Sequence, residues 1–347
     1  MKMKRIGIIC PSEIAFRRFL PALKEIKDAE FAGVAVATPE EWFGDSLSDT
    51  PKETIEQVRR NEFKKADSFV EQYGGKVIDG YENLIKSEDI DVVYLPLPPA
   101  LHYKWAKKVI SNGKHLFCEK PFTISKADTY NLIAAATKQN VAFHENYMFA
   151  FHKQIEDIKK IVADGEIGNV RLIRIDFGFP KRAQNDFRYN KKLGGGALFD
   201  CGGYPVKLAR ILLGGDVHIT DANFIMSEEH NVDLYGSATL KNEKGDVAQI
   251  SFGMDNDYRC NLDIWGSEGS IFTGRILTAP SGFVPMATIR KNGVASEIEL
   301  SADDTFKKSI EYFLKSIDDE SIRKKIADDI KTQADLIDEF IEKSEMK

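Results

Sequence analysis

The sequence predicts an α/β protein of two domains, in which a parallel sheet is followed by an open, mainly antiparallel sheet. Three observations lead to this fold class. The chain opens with a strand, a helix and a second strand, which is the order of a parallel sheet. From residue 170 onward, six segments of strand-like sequence alternate in polarity and are separated by turns. The length of 347 residues suffices for two hydrophobic cores.

Composition and charge describe an ordinary globular chain and exclude several classes of function. The net charge of −6 leaves no basic surplus to neutralise the phosphates of a nucleic acid. No apolar stretch approaches the length of a membrane span. The four cysteines lie far apart, as free thiols do in the cytoplasm, and the histidines show no metal-ligand spacing. We therefore expect a cytoplasmic protein without a metal site that binds neither nucleic acid nor membrane.

The turn after the first predicted strand, residues 5–10, is where a dinucleotide would bind. Such turns usually read G-x-G-x-x-G or A, because glycine lets the backbone bend tightly and approach a pyrophosphate. The six positions are occupied here by Cys10, Pro11, Ser12, Glu13, Ile14 and Ala15. Ser12 can cap the following helix, whose N-terminus is itself an anion site. We expect cofactor contacts at residues 10–14, although Glu13 opposes a phosphate unless its side chain turns away.

The end of the second predicted strand, residues 31–37, bears on the choice of cofactor. An acidic residue there would bind the ribose of NAD, and an Arg would meet the 2′-phosphate of NADP. Thr38 occupies this place and can hydrogen-bond either group. The polar segment 42–62 is interpreted as an insertion, from which Arg59 or Arg60 could supply contacts. Both NADP and NAD stay open, with a slight preference for NADP because no carboxylate ends the strand.

A proline-rich loop follows the strand predicted at residues 91–95. It contains Leu97 and Pro98, and His102 opens the next helix. Residues beyond the carboxyl end of a strand line the ligand crevice of an open α/β sheet, so these three are candidates for cofactor binding. The alternative for His102 is a purely structural place on the helix surface or in the core.

The strand predicted at residues 115–118 ends in the charged pair Glu119 and Lys120. A Lys in the crevice can donate a proton or polarise a carbonyl, and Pro121 restricts its backbone to extended geometry. We predict that Lys120 is catalytic and that Glu119 lies beside the cofactor. The alternative is a solvated ion pair at the end of a strand.

A glycine-rich segment in the second half of the chain supplies the remaining candidates. Residues 194–196 are all glycine, which permits positive φ or close approach of the backbone. In the helix that follows, Asp200 and Tyr204 lie four residues apart and share one face. A carboxylate and a phenol together can bind sugar hydroxyls or move a proton. An amphipathic helix with a capping acid is the equally weighted alternative.

These segments together resemble the glucose–fructose oxidoreductase / inositol dehydrogenase family, Gfo/Idh/MocA, over nearly the whole chain. The resemblance implies an N-terminal Rossmann dinucleotide-binding domain, residues 1–122, and a C-terminal α+β domain with an open, mainly antiparallel sheet, residues 123–347. The matching residues are Leu97, Pro98, Pro99, His102, Glu119, Lys120, Pro121, Gly165, Glu166, Ile167, Gly168, Gly194, Gly195, Gly196, Asp200 and Tyr204.

The resemblance also implies roles for individual residues. In the family the Lys of the Glu-Lys-Pro motif is catalytic, which corresponds to Lys120. The position of Tyr204 is His in many members and Tyr in others, including sugar-nucleotide ketoreductases. Arg188 matches a family Arg near the active site and would contact the cofactor or a charged substrate group. Members commonly bury the open sheet against a second subunit, which implies a homodimer or homotetramer.

The predicted function is therefore NAD(P)-dependent hydride transfer on a sugar or sugar nucleotide, with reduction of a keto-sugar preferred. In that reaction Tyr204 would supply the proton, Lys120 would hold the oxygen, and Asp200 would bind a neighbouring hydroxyl. One alternative is dehydrogenation of a free sugar or cyclitol. Another, suggested by the replaced glycines at Cys10 and Ser12, is a non-catalytic relative that binds a sugar ligand.

Overall fold

The computed structural model describes residues 3–345, which form two compact units, each built on one sheet. The first unit contains the chain up to Thr123 together with segments 127–146 and 306–328. The second contains segments 124–126 and 147–305 and the chain from Asp329 onward. These units are defined by compactness, whereas the sequence-based boundary between residues 122 and 123 concerns domains of the sequence and stays a prediction.

The first unit contains a parallel sheet whose strand order is β3-β2-β1-β4-β5-β6. Every neighbouring pair is parallel, and the order turns back between β1 and β4. The carboxyl ends of β1, β2, β4 and β5 therefore share one edge of the sheet. The strands are β1 Lys4–Ile9, β2 Ala29–Val36, β3 Lys76–Asp79, β4 Val92–Leu95, β5 His115–Cys118 and β6 Phe143–Glu145.

Helices connect the strands and close the chain. None of those within residues 3–345 has the length and apolar character to cross a membrane. In chain order the α-helices are α1 Leu20–Lys24, α2 Pro39–Phe43, α3 Lys52–Tyr73, α4 Tyr81–Lys86, α5 His102–Ser111, α6 Lys126–Gln139, α7 Lys153–Ala163, α8 Gly203–Leu213, α9 Thr305–Asp318 and α10 Glu320–Glu345. Two of them, α1 and α8, are preceded by five-residue π-helical turns, Ala15–Phe19 and Leu198–Gly202.

The segment 42–62, interpreted from the sequence as an insertion, is largely helical. Helix α3 already begins at Lys52, and α2 and the 3₁₀ helix Gly44–Asp49 precede it. The sequence signal was present, because Thr38 and Glu41 form a capping box at the start of α2. The apolar stripe of α3 is sparse, and this hid the helix in a polar sequence.

The second unit contains an eight-stranded sheet with the order β14-β13-β12-β11-β7-β10-β9-β8. All neighbouring pairs are antiparallel except β7 and β10, so the sheet is mainly antiparallel, as predicted. The last two strands were not predicted. The strands are β7 Val170–Gly178, β8 Val217–Met226, β9 Asp233–Asn242, β10 Val247–Gly253, β11 Arg259–Gly266, β12 Gly269–Gly274, β13 Met286–Lys291 and β14 Val294–Glu299.

Candidate active site

The turn after β1 has the geometry of a dinucleotide-binding turn in spite of its sequence. Cys10 has φ = +70°, a value that glycine adopts without strain and other residues seldom do. The hydroxyl of Ser12 accepts a hydrogen bond from Ala15 N at 3.3 Å, and its carbonyl accepts one from Phe16 N at 3.1 Å. The backbone thus follows the glycine conformation and leads directly into a helix N-terminus.

Glu13 does not oppose an anion at this turn. Its exposed carboxylate pairs with Arg17, one helical turn later, at 2.7 Å. The sequence required this side chain to turn away from a bound phosphate. It does so, because it points along the helix and is neutralised by Arg17. Pro11 is buried beneath the turn, and Ile14 is exposed on it. These residues fit the pyrophosphate of a dinucleotide.

The end of β2 presents a cation, although the sequence showed no Arg beside the strand. Arg59, from α3, donates to the carbonyl of Ala37 at 3.1 Å and pairs with Asp79 at 2.8 Å. The hydroxyl of Thr38 accepts from Glu41 N, so it serves first as a helix cap. The Glu41 carboxylate accepts from the backbone of Thr38 and of α4, which removes it as a ribose ligand.

His102 joins the two loops that follow β4 and β5. It is fully buried, and its ring nitrogens lie 2.7 Å from the carbonyl oxygens of Leu97 and Pro121. Burial lowers the pKa of His102, while the two carbonyl acceptors oppose that shift. Pro98 also lies in the first loop and is partly exposed. The structural role that the sequence left open for His102 is therefore present, and any effect on a cofactor acts through these loops.

Glu119 and Lys120 lie at the same edge of the sheet, directly after β5. One oxygen of Glu119, Oε1, accepts from Tyr94 Oη and from Asn146 Nδ2, both at 2.8 Å. Burial raises the pKa of Glu119, and these two donors and the charge of Lys120 oppose the rise. Glu119 is thus tied into a polar cluster with Tyr94 and Asn146, unlike the solvated carboxylate that the sequence allowed as an alternative.

In the second unit, the glycine-rich segment closes on a carboxylate of the protein itself. Gly194 and Gly196 have positive φ values of 77° and 119°. Asp233, at the start of β9, accepts a hydrogen bond from Leu198 N at 2.6 Å and so caps the helix that carries Asp200 and Tyr204. A side chain at Gly196 would overlap the Asp233 carboxylate. This explains why glycine is needed there.

Tyr204 lies near the start of α8 and is 8% exposed. Its ring is surrounded by those of Tyr147, Phe149 and Phe177, with centroids 5.2, 5.5 and 5.2 Å away. These contacts hold the ring on several sides and restrict its rotation. The phenol is therefore a positioned group.

Asp200 and Arg188 are partners of each other. Arg188 Nε donates to Asp200 Oδ2 at 2.6 Å, and its Nη1 donates to Asp186 at 3.1 Å. Although burial disfavours its charge, the two carboxylates raise the pKa of Arg188 above its usual value. The roles predicted for this pair, binding a hydroxyl and binding a charged group, therefore require a ligand to share or replace these hydrogen bonds.

Several residues of these clusters escaped the sequence analysis. Asp233, Tyr94, Asn146 and Ser309 are distant in sequence from the motifs that they support. Arg59 was considered only as part of an insertion. A buried polar residue in an otherwise apolar strand is the one signal that could have indicated Tyr94 and Asn146.

Comparison with known proteins agrees with this arrangement. The family model "Oxidoreductase family, NAD-binding Rossmann fold" matches residues 15–147, and "GFO/IDH/MocA C-terminal domain" matches residues 155–272. The fold and site thus define an oxidoreductase with a nicotinamide dinucleotide domain. The chain belongs to the Gfo/Idh/MocA family, and the predictions of family, fold class and NAD(P)-dependent oxidoreductase are confirmed.

Individual relatives match almost the full chain. A dTDP-3,4-didehydro-2,6-dideoxy-alpha-D-glucose 3-reductase of Saccharopolyspora spinosa is 34% identical over 91% of this chain and 88% of its own. The enzyme of the same name from Actinomadura kijaniata is 32% identical over 96% and 93%. The crystal structure of KijD10, a 3-ketoreductase from Actinomadura kijaniata in complex with NADP and TDP-benzene, superimposes with a TM-score of 0.87 at 31% identity, covering 99% and 98% of the two chains.

Proposed function

We propose that this protein reduces a keto group on a nucleotide-linked sugar with NADPH. The observation that carries the proposal is the positioned phenol of Tyr204, which lies on a helix that also presents Asp200. A non-catalytic sugar-binding protein has no physical need for a buried phenol in addition to a lysine at the carboxyl edge of the sheet. Relatives named as 3-reductases of a dTDP-linked didehydro sugar support the same substrate class.

The cofactor would be held by the first unit. The turn at residues 10–14 offers a helix N-terminus to the pyrophosphate, and Leu97, Pro98 and Glu119 border the same sheet edge. When bound, the nicotinamide supplies the hydride. His102 contributes indirectly by holding the two loops together.

The chain's own residues would manage the proton and the charge. Reduction of a ketone leaves negative charge on the former carbonyl oxygen, so a cation and a proton donor are both needed. Lys120 supplies the cation and Tyr204 the proton. The Asp200–Arg188 pair would exchange one of its own hydrogen bonds for a substrate hydroxyl or an anionic group of the nucleotide.

Arg59 favours NADP over NAD. Its guanidinium lies at the carbonyl of Ala37, where the 2′-phosphate of NADP would lie beyond the end of β2. Glu41 is occupied by backbone donors and cannot bind the ribose hydroxyls of NAD. We assign the 2′-phosphate contact to Arg59, with Thr38 as a secondary contact.

The function is tested by comparing substrates and one variant. Oxidation of NADPH and NADH is measured with dTDP-linked 3-keto and 4-keto sugars, and reduction of NADP and NAD with free sugars and inositols. We expect turnover with a keto-sugar nucleotide and NADPH. Tyr204→Phe should lower that turnover by about ten- to a hundredfold, because the proton donor is lost while the ring contacts remain. Tyr130→Phe, at an exposed tyrosine of α6, is the matched control.

Three outcomes would contradict this proposal in different ways. Turnover of free sugars or cyclitols alone would replace it with the dehydrogenase alternative. Binding of a sugar ligand without any redox turnover would identify a non-catalytic relative. Unchanged ketone reduction by Tyr204→Phe would remove the role of the phenol and leave the substrate class in place.

An assembly through the second sheet is part of the proposal. Its strands carry several large apolar side chains that are each at least 43% exposed, among them Ile225, Tyr235, Trp265, Phe272 and Met286. We propose that a second copy covers this face and that the protein is a homodimer or homotetramer. A sedimentation mass of one chain at micromolar concentration would exclude this assembly.

A cytoplasmic location is also proposed, because the four cysteines are present as thiols.

A further inference from the structure

A chain of buried polar side chains leads from the interior of the first unit to the Glu119 carboxylate. Asn146 Nδ2 donates to Glu119 Oε1 at 2.8 Å, and Ser309 Oγ lies 2.9 Å from Asn146 Oδ1. His144 Nε2 lies 2.9 Å from the same Ser309 hydroxyl. Asn146 and Ser309 are fully buried and His144 is 4% exposed. Three segments far apart in sequence thus meet behind Glu119.

The donors and acceptors of this chain match along its length. Because the Asn146 amide gives its NH₂ group to Glu119, its carbonyl must accept, and the proton comes from the Ser309 hydroxyl. A hydroxyl has one proton, so Ser309 must accept from His144 Nε2–H. Rotation of the Asn146 amide by half a turn would put its oxygen beside Glu119 and its NH₂ group beside Ser309, and Ser309 would then have to give its proton to the other tautomer of His144. Ser309, together with the tautomer of His144, therefore fixes which end of the amide faces the carboxylate.

The orientation of that amide decides the charge of Glu119. An NH₂ group pointing at the carboxylate favours the anion, whereas a carbonyl oxygen in the same place favours the protonated acid. Burial already raises the pKa of Glu119, so the carboxylate depends on its donors to stay charged. An anionic Glu119 in turn stabilises the ammonium form of its neighbour Lys120.

We propose that Ser309 and Asn146 are positioning residues for Lys120: they hold Glu119 as an anion and thereby set the pH at which Lys120 loses its proton. The effect of this coupling on turnover depends on the catalytic role proposed for Lys120. The coupling itself belongs to the folded chain and can be measured without substrate. Helix α9, which supplies Ser309, lies outside the segments matched by the family models.

Other titratable groups lie around the pair. Burial raises the pKa values of Tyr94 and Cys118 and lowers that of His102. Glu145, beyond Cys118, accepts from Phe122 N at 2.7 Å. Among these groups, Glu119 is the one on which the Ser309 hydroxyl acts, through the Asn146 amide.

The experiment measures the reactivity of the Lys120 amine in the full chain. Trace labelling with acetic anhydride from pH 6 to 11, followed by mass spectrometry, gives the pH at which Lys120 is half reactive. Ser309→Ala should lower that pH by about one unit, because a Glu119 carboxylate that has lost a fixed donor binds a proton more tightly and stabilises the Lys120 ammonium less. Asn146→Leu, which removes the amide itself, should lower it at least as far. Asn146→Leu therefore tests the proposal if Ser309→Ala folds poorly.

A matched control comes from the same helix. Ser316 is also fully buried, and its hydroxyl donates to the carbonyl of Phe313 in α9. Ser316→Ala should leave the labelling of Lys120 unchanged. In a Glu119→Gln background, Ser309→Ala should have no further effect. An equal shift in both serine variants, or a shift that persists without the Glu119 charge, would overturn the proposal.

The result can be separated from that of the proposed function. A shift in labelling without turnover of any keto-sugar nucleotide would leave the network intact and remove the function. Ketone reduction by the parent, together with unchanged labelling of Lys120 in Ser309→Ala, would keep the proposed function and remove the role of the network. Where both results hold, the alkaline limb of the turnover profile should move in Ser309→Ala by the same amount as the labelling midpoint, because turnover needs the Lys120 ammonium.

Discussion

Two helices in this chain, α1 and α8, begin with similar backbone conformations but have different groups at their N-termini. The first runs from Cys10 through the π-helical turn Ala15–Phe19 into α1, and the second from Gly194 through Leu198–Gly202 into α8. A proline follows each π-helical turn, Pro21 in α1 and Pro205 in α8. Proline removes a backbone donor near the start of each helix, where the wider turn has already shifted the hydrogen-bond pattern.

The two beginnings differ in what caps them. Asp233, a carboxylate from another strand, occupies the N-terminus of the second helix. The first is capped from within its own turn by Ser12, and its one acidic side chain, Glu13, pairs along the helix with Arg17. A helix N-terminus filled by the protein's own anion has no need of a phosphate. The comparison therefore supports the proposed place of the dinucleotide at the first beginning.

The comparison also shows that glycine content misleads here. The segment with three glycines is the structural one, because Gly196 must avoid Asp233 as well as adopt a positive φ. The segment without glycines is the proposed cofactor turn, where Cys10 adopts the glycine conformation itself. Backbone conformation and capping identify an anion site more directly than residue type.

The largest expected effect concerns Lys120, which lies at the same sheet edge as the first beginning. Lys120→Met should lower turnover about a hundredfold or more while the affinity for NADPH changes little, because the charge at the reacting oxygen is lost and the cofactor turn is untouched. Stopped-flow turnover and fluorescence titration of NADPH measure the two quantities. Lys107→Met, at an exposed position of α5, is the control. Near-normal turnover would remove Lys120 from catalysis.

The second prediction tests the carboxylate that fills the second beginning. Burial raises the pKa of Asp233 to about 6, above its value in the unfolded chain. The folded state therefore binds the proton more tightly, and the stability that this contributes at low pH is lost as the pH rises through about 6. Asp233→Asn, which cannot ionise, should be more stable than the parent at pH 8 by up to about 3 kcal/mol.

Urea unfolding at pH 5 and pH 8 measures this difference. The gain from Asp233→Asn should shrink toward pH 5, since the parent is then largely protonated as well. Asp255→Asn, at an exposed position, serves as the control. A variant that is less stable at pH 8 would show that the helix start needs an anion, and the second beginning would then be electrostatically equivalent to a phosphate site.

The sequence could predict those features that depend on residues close together along the chain. Most strands of both sheets were predicted because alternation and apolar runs are local signals, and the second sheet begins at residue 170, as predicted. The strands β13 and β14 were missed, since β14 is largely exposed and carries little apolar pattern. Helix α3 was missed over its first half for a related reason.

The candidate site was predicted where motifs are contiguous and missed where contacts are distant. Glu119, Lys120, Asp200 and Tyr204 stand in short motifs with a chemical meaning of their own. Their partners Tyr94, Asn146 and Asp233 come from other strands or follow them, and no local pattern connects them. The pairing of Arg188 with Asp200 likewise appears only in three dimensions, and it changes what each can offer a ligand.

The third prediction sharpens the assignment of the cofactor to the first beginning. Arg59→Ala should weaken NADPH binding about tenfold and leave NADH binding within about threefold, because the 2′-phosphate is the group that distinguishes them. Arg60→Ala, at the exposed neighbouring position, should alter neither. Equal losses for both cofactors would indicate that Arg59 supports the fold at Ala37 and Asp79 and does not read the phosphate.

The smallest expected effect is at Cys10. This residue and Gly194 begin the two segments with similar positive φ values, but only one of them is glycine. A side chain at φ = +70° costs about 1 kcal/mol relative to glycine, while glycine loses about 0.5–1 kcal/mol through the entropy of the unfolded chain. Cys10→Gly should therefore change stability by no more than about 1 kcal/mol, toward stabilisation. Cys10→Ala, which keeps the strain and lacks the thiol, should not be stabilised. If both variants gain equally, the thiol and its contact with Pro96 O are the source of strain, and the glycine conformation carries no cost here.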